Sequence, residues 1–201
     1  MRVGVLVSGG GRNLQALLDA ETAGQLGRAR IVVVVSNRPG VRALERAVNA
    51  GKPAVVVPHE AATSRQAFED DLVAALSPHG VELVVLAGFM RLLTGHFLGR
   101  FPDRVVNIHP ALLPAFPGVD AQAQALEHGV KVAGCTVHLV DEGTDTGPIL
   151  AQAAVPVLPD DDHAALAARI LIEELRLLPQ VVADLSVGRL VRQGRRAWIR
   201  H

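Results

Sequence analysis

The chain has 201 residues, 49% of them hydrophobic, and a mean hydropathy of +0.29, enough to bury one sizeable core and too apolar for wholesale disorder. Lys+Arg and Asp+Glu each number 20, so no excess charge points to a nucleic-acid or membrane-surface partner. The single cysteine, Cys135, excludes an internal disulfide framework and a cysteine-based zinc cluster.

Short β-branched runs alternate with helical patterns along the chain. Residues 3–7 read as a strand ending in Ser8-Gly9-Gly10-Gly11-Arg12-Asn13. Residues 14–23 follow as a helix, with Leu14, Leu17 and Leu18 at helical spacing. Strands are predicted at 31–35, 54–57, 83–87 and 105–108, and helices at 41–50 and 64–76, with Ser64 as N-cap of the latter. This β-α-β-α rhythm predicts an α/β fold, a parallel sheet with helices on both faces. Residues 132–140 and 149–157 are longer strand-like runs around a Gly/Asp-rich loop and suggest a mixed-sheet end. Pro159 and three aspartates then lead into a helix from 163 to about 178. No repeat or linker interrupts residues 1–201, so one domain is expected. Met1-Arg2 leads straight into the first strand, unlike a signal peptide. No stretch reaches the roughly 20 apolar residues of a membrane span, and the expected compartment is the cytoplasm.

Ligands of open α/β sheets sit beyond the carboxyl ends of the strands. Residues 8–13, 88–93 and 107–114 fall there, and the loop 141–148 can reach the same edge. In the first segment, glycines let the backbone turn sharply and bring N–H groups close to an anion at a helix N-terminus. The same residues also suit a plain tight turn. A P-loop is excluded by the missing Gly-Lys-Ser/Thr ending. A dinucleotide fingerprint is excluded by Leu14 in place of its third glycine and by Ser36-Asn37 where an acidic residue belongs. A single phosphate group fits better than a pyrophosphate.

Asn107 and His109 lie two apart at the end of a strand and point the same way. An amide and an imidazole together can hold a developing oxyanion, and histidine exchanges protons near neutral pH. A purely structural pair, with Asn closing a turn, uses the same residues. The acidic loop Asp141-Glu142-Gly143-Thr144-Asp145 lacks EF-hand spacing. A carboxylate from it, brought against His109, would favour the imidazolium and complete an acid/base site.

Four segments together resemble the glycinamide ribonucleotide formyltransferase family. They are Ser8-Gly9-Gly10-Gly11-Arg12-Asn13-Leu14-Gln15-Ala16, Leu86-Ala87-Gly88-Phe89-Met90-Arg91-Leu92-Leu93, Asn107-Ile108-His109-Pro110-Ala111-Leu112-Leu113-Pro114 and Asp145-Thr146-Gly147-Pro148-Ile149-Leu150. They stand in the family's order and span essentially the whole chain. The resemblance implies a three-layer doubly wound, mostly parallel formyltransferase fold with a mixed-sheet C-terminal part. The phosphate-substrate side would occupy about residues 1–100, and the folate side and catalytic residues about 101–201. It implies formyl transfer from 10-formyltetrahydrofolate, as co-substrate and without a metal, to the amine of glycinamide ribonucleotide, by a monomer or homodimer. By the same resemblance Asn107, His109 and Asp145 are catalytic, and Gly11, Arg12 and Asn13 bind the substrate phosphate. Arg65, Met90, Arg91, Leu92, Leu93, Val140, Asp141 and Thr144 would bind folate, and Glu174 would contact substrate. Two departures stand out: Arg12 replaces a small polar residue, and a histidine common near Gln122 is missing. His138 reads as structural or supporting. Formyltetrahydrofolate deformylases share the Asn-Ile-His-Pro segment but usually carry an extra N-terminal domain. The formyltransferase-like sequence here begins at Met1, so the transferase is the expected member.

Overall fold

Runs of Val and Leu with both faces covered make the middle of the sheet. β1 (Arg2–Val7) and β4 (Leu83–Leu86) are buried at nearly every position, as strands between two helical layers must be. The computed structural model, which describes residues 1–200, sets them among β2 (Arg30–Ser36), β3 (Ala54–Val56), β5 (Val105–His109), β6 (Val132–Leu139) and β7 (Ile149–Pro156). The order is β3-β2-β1-β4-β5-β6-β7. The first five are parallel, whereas β6 runs antiparallel to both β5 and β7. The mixed-sheet end expected from the longer runs is therefore present.

Alternation along the strands divides the core in two. Val3, Val5 and Val7 face one cluster with Leu14 and Leu17 of α1 (Arg12–Thr22), Ala43 and Ala47 of α2 (Arg42–Asn49), and Ile170 and Leu178. Leu6 faces the other, with Phe68 and Leu72 of α3 (Arg65–Leu76) and Phe97 of α4 (Gly95–Leu98). Three layers result. The chain leaves β1 in one direction toward β2 and β3 and resumes on its other side at β4. The β1/β4 boundary is thus a topological switch point, where the loops beyond the strand ends part to form a crevice.

Several elements differ from their expected form. The last helix, α6 (His163–Ser186), continues through Pro179 rather than stopping near 178. Proline interrupts the backbone ladder, but Leu177, Leu178, Val181, Val182 and Leu185 extend one buried stripe across it. Helices α4 and α5 (Ala121–Glu127) are too short to show a periodic pattern. The hairpin of β8 (Leu190–Gln193) and β9 (Arg196–Ile199) lies in an arginine-rich stretch without a clear strand signature. Among the described residues no helix is long and apolar enough to cross a membrane.

Candidate active site

The turn between β1 and α1 consists of Ser8, Gly9, Gly10 and Gly11. Gly11 has φ 69°, a left-handed conformation, and a Cβ there would lie 2.7 Å from the Cβ of Ala43. Both conditions require glycine. No side chain caps α1, so the N–H groups of its first turn remain free for a ligand, at the positive end of the helix dipole. Ser8 is buried, donates to Asn37 Oδ1 at 2.6 Å and accepts from the Met90 N–H at 2.8 Å, tying the turn to the segment after β4. The turn lines a cavity of about 370 Å³ together with Met90, Pro110, Gln122 and Glu174. Asn13 Nδ2 donates to Glu174 Oε2 at 2.8 Å, while the buried Asn13 Oδ1 has no partner. Burial pushes the Glu174 carboxyl above its usual value, and the hydrogen bond from Asn13 and the charge of Arg12 offset this only in part. Arg12 is exposed and also lines a wider cleft of about 600 Å³ between α1 and α6.

A second set of polar groups gathers where β5 ends. Asn107 stands opposite His138 of β6, and His109 opposite Thr136. The polar groups form a chain. Asn107 Nδ2 lies 3.2 Å from His138 Nε2, which is 3.6 Å from Asp145 Oδ1. Asp145 Oδ2 is 3.3 Å from His109 Nδ1 and accepts the Gly118 N–H at 2.8 Å. His109 Nε2 lies 2.8 Å from the Phe116 carbonyl. A carbonyl only accepts, so Nε2 carries a hydrogen, and with a carboxylate facing Nδ1 both ring nitrogens meet acceptors, the setting of an imidazolium. His138 Nδ1 donates to the Leu139 carbonyl at 2.9 Å, and its Nε2 faces both the Asn107 amide and the Asp145 carboxylate. The second amide hydrogen of Asn107 remains available.

Burial would raise the pKa of Asp145, but the His138 hydrogen bond, the Gly118 N–H and the charge of His109 outweigh it. The carboxyl is held below its usual value. The two residues that face His109 are themselves unusual: Phe116 and Asp145 have φ of 55° and 54°. Non-glycine residues persist there only where the surroundings over-determine them.

Beside this chain lies a small cavity of about 80 Å³, lined by Arg91, Leu92, Leu93, Asn107, His138 and Asp145 among others. That is far below the roughly 300–1,000 Å³ of pockets that enclose an organic ligand. Val140 and Asp141 also border it; Met90 borders the larger cavity instead. Arg65 is exposed at the start of α3, just after Ser64, whose hydroxyl caps the helix by accepting the Ala67 N–H at 3.0 Å. Neither Arg65 nor the exposed Thr144 lines either cavity. Both cavities draw on residues before and after position 100. A doubly wound sheet gathers loops from all its strands at one edge.

Sequence reasoning undervalues His138, which touches both Asn107 and Asp145. Its alternation with Thr136 on one strand is the available signal, and the register that sets it opposite Asn107 is not local. The Phe116 carbonyl and Gly118 N–H carry no sequence signal at all, because nearly every residue has both groups. Cys135 is buried in β6, and burial pushes its thiol up to about 12, so it does not offer a thiolate nucleophile. Among the described residues no three His, Cys, Asp or Glu side chains are grouped to hold a metal ion.

A turn with free backbone N–H groups and an Asn–His–Asp cluster thus share one edge of the doubly wound sheet. The profile of the formyl transferase family matches residues 1–182, and the chain belongs to that family. Over 98% of its length the chain is 49% identical to the phosphoribosylglycinamide formyltransferase of Mycobacterium tuberculosis, covering 94% of that protein. It superposes on glycinamide ribonucleotide transformylase 1 from Symbiobacterium toebii with a TM-score of 0.97 at 53% identity, covering all of this chain and 94% of that one. It is also 50% identical, over 93% of its length, to the trifunctional purine biosynthetic protein adenosine-3 of Drosophila melanogaster, of which it spans only 14%. A formyltetrahydrofolate deformylase from Pseudomonas syringae shares the fold at a TM-score of 0.90 but only 25% identity, covering all of this chain and 66% of that one.

Proposed function

We infer that this enzyme transfers the formyl group of 10-formyltetrahydrofolate to the amine of glycinamide ribonucleotide, giving formylglycinamide ribonucleotide and tetrahydrofolate in purine biosynthesis. The observation that carries the reading is the position of Asn107, His109 and Asp145 at the end of β5, with the glycine-turn cavity on one side and the Arg91–Leu93 cavity on the other. The glycine turn and Arg12 anchor the substrate phosphate, and Glu174 contacts the same substrate. Residues 90–93 and 140–141 receive the folate, for which the small cavity widens. Cytoplasm is the compartment expected for this step.

The substrate amine attacks the formyl carbon; a C–N bond to the ribonucleotide forms as the C–N bond to folate breaks. Negative charge develops on the formyl oxygen. The free Asn107 N–H and the His109 Nε2–H donate to it, the latter exchanging the Phe116 carbonyl for the developing oxyanion. Each such donor is worth about 3 kcal/mol in comparable acyl-transfer sites. Asp145 holds the far side of the His109 ring and keeps the imidazolium. The amine releases one proton and the folate nitrogen takes one up, so the site moves a proton but keeps none. Anchoring the remote phosphate places the amine against the formyl carbon.

The test is release of the deformylated folate from a 10-formyl-folate analogue, followed by absorbance with and without glycinamide ribonucleotide. Release should require the ribonucleotide and fall roughly 10²–10³-fold in Asn107→Ala. Release at the same rate without the ribonucleotide would make the protein a hydrolase, the reaction of the Pseudomonas relative, and near-normal turnover by the variant would remove Asn107 from the mechanism.

A further inference from the structure

The glycine turn is fastened to α2 by its carbonyls. The Ala43 N–H donates to the Gly9 carbonyl at 3.1 Å, and Arg46 Nε donates to the Gly10 carbonyl at 2.9 Å. The same guanidinium reaches α1, where Nη1 donates to Gln15 Oε1 at 2.8 Å. In a planar trans peptide the C=O and the N–H point in opposite directions. The Gly9 carbonyl shares its peptide with the Gly10 N–H, and the Gly10 carbonyl shares its peptide with the Gly11 N–H. Drawing both carbonyls toward α2 therefore turns both N–H groups away from it. Gly9, Gly10 and Gly11 line the cavity of about 370 Å³, whereas Arg46 does not. Arg46 borders two other clefts, one of them shared with Arg42.

We propose that Arg46 is a positioning residue for phosphate recognition: its bond to the Gly10 carbonyl locks the Gly10–Gly11 peptide with the N–H turned toward the substrate. The proposal rests on the reading of this turn as the phosphate subsite. A peptide between two glycines meets no Cβ when it rotates. Without Arg46 that plane turns freely and offers the anion a carbonyl oxygen in place of a donor. Ala43 still holds the Gly9 carbonyl, so the loss is confined to one peptide. Lysine replaces the arginine only in part, because a single nitrogen lacks the fixed fork that spans Gly10 and Gln15.

The experiment compares Arg46→Ala, Arg46→Lys and Arg42→Ala with the wild-type chain. Binding of ribose 5-phosphate is measured by calorimetry, and KM for both substrates and kcat by steady-state kinetics. Arg46→Ala should weaken ribose 5-phosphate binding and raise the KM for glycinamide ribonucleotide by roughly ten- to a hundredfold, the loss of one hydrogen bond to a charged group. The KM for formyl-folate and kcat at saturation should stay near wild type, and Arg46→Lys should fall between. Arg42 is exposed on the same helix and has no hydrogen bond to the turn, so Arg42→Ala should match wild type. Unchanged sugar-phosphate binding in Arg46→Ala would overturn the proposal. An equal loss in Arg42→Ala would do so too, by assigning the effect to overall charge. Formyl transfer by a wild-type chain that binds no ribose 5-phosphate would sink this proposal while leaving the reaction assignment standing.

Discussion

The two sides of the cluster at the end of β5 are built on different principles. On the parallel side, the turn after β1 offers backbone: N–H groups freed by three glycines and aimed by the carbonyls that α2 holds. On the antiparallel side, β5, β6 and the loop before β7 offer side chains, linked from Asn107 through His138 and Asp145 to His109. Backbone donors need a particular local conformation, which a few consecutive residues specify. A side-chain relay needs strands remote in sequence to meet in register. Two carboxylates express the contrast. Asp145 sits among donors and cations and is held below its usual pKa, whereas Glu174, buried beside the backbone site, is pushed above it.

The relay breaks most sharply at Asp145. Asp145→Asn keeps the shape and an oxygen for the Gly118 N–H but removes the charge facing two imidazoles. Turnover should drop at least roughly a hundredfold, with the KM for the phosphorylated substrate little changed. Stability carries an independent signature. The folded pKa lies below the ordinary value of 3.8, so the ionised carboxylate stabilises the fold at neutral pH. That contribution is lost as pH falls through the lowered folded value. In urea unfolding the variant should lie below wild type at pH 7, and the gap should close in acid below the ordinary value. A gap independent of pH would show that the carboxylate is not engaged with its neighbours.

The same contrast decides what the sequence reveals. Strands 3–7, 31–35, 83–87 and 105–108 are legible because each is a short, largely apolar run that stops at or shortly before Gly, Ser or Pro. The glycine turn is legible because its conformation and its place at a helix start lie in the same six residues. Asn107 and His109 are legible as a pair by alternation on one strand. Asp145 becomes their partner only through resemblance to the family, since nothing in its own loop points toward β5. His138 is visible as a histidine on a buried strand, but its contact with Asn107 is a matter of register between β5 and β6. The Phe116 carbonyl that receives His109 depends on a positive φ at a non-glycine residue, which side-chain identity does not announce. α6 runs through Pro179 because tertiary burial overrides a local breaker.

The backbone side breaks less steeply and in a different observable. Gly11→Ala adds a Cβ 2.7 Å from that of Ala43 at a left-handed φ of 69°. Strain and overpacking together should cost about 2–4 kcal/mol in urea unfolding and raise the KM for the phosphorylated substrate. Gly10→Ala, where nothing lies within 4 Å of the added carbon, should leave stability near wild type. Equal destabilisation by the two would mean that the turn needs glycine for flexibility rather than for its seat on α2.

The smallest effect is the most diagnostic of sign. Glu174 has a folded pKa raised above its ordinary value of 4.5, so its protonated form is the one the fold favours. The associated stability is complete below that value and is lost as pH rises through the raised folded pKa. Above that folded pKa the wild type carries a buried negative charge at a cost, with Asn13 donating a hydrogen bond to it. Glu174→Gln retains an acceptor for Asn13 and removes the charge, so its thermal midpoint should exceed that of wild type by a few degrees at pH 8. The difference should vanish toward pH 4. The same variant should bind the phosphorylated substrate more weakly if the carboxylate is kept for a ligand, because a costly buried charge persists where function needs it. A variant less stable than wild type at pH 8 would mean that Arg12 and Asn13 overcome the burial. Glu174 would then be a support of the glycine turn, and the two sides of the site would hold their carboxylates in the same way.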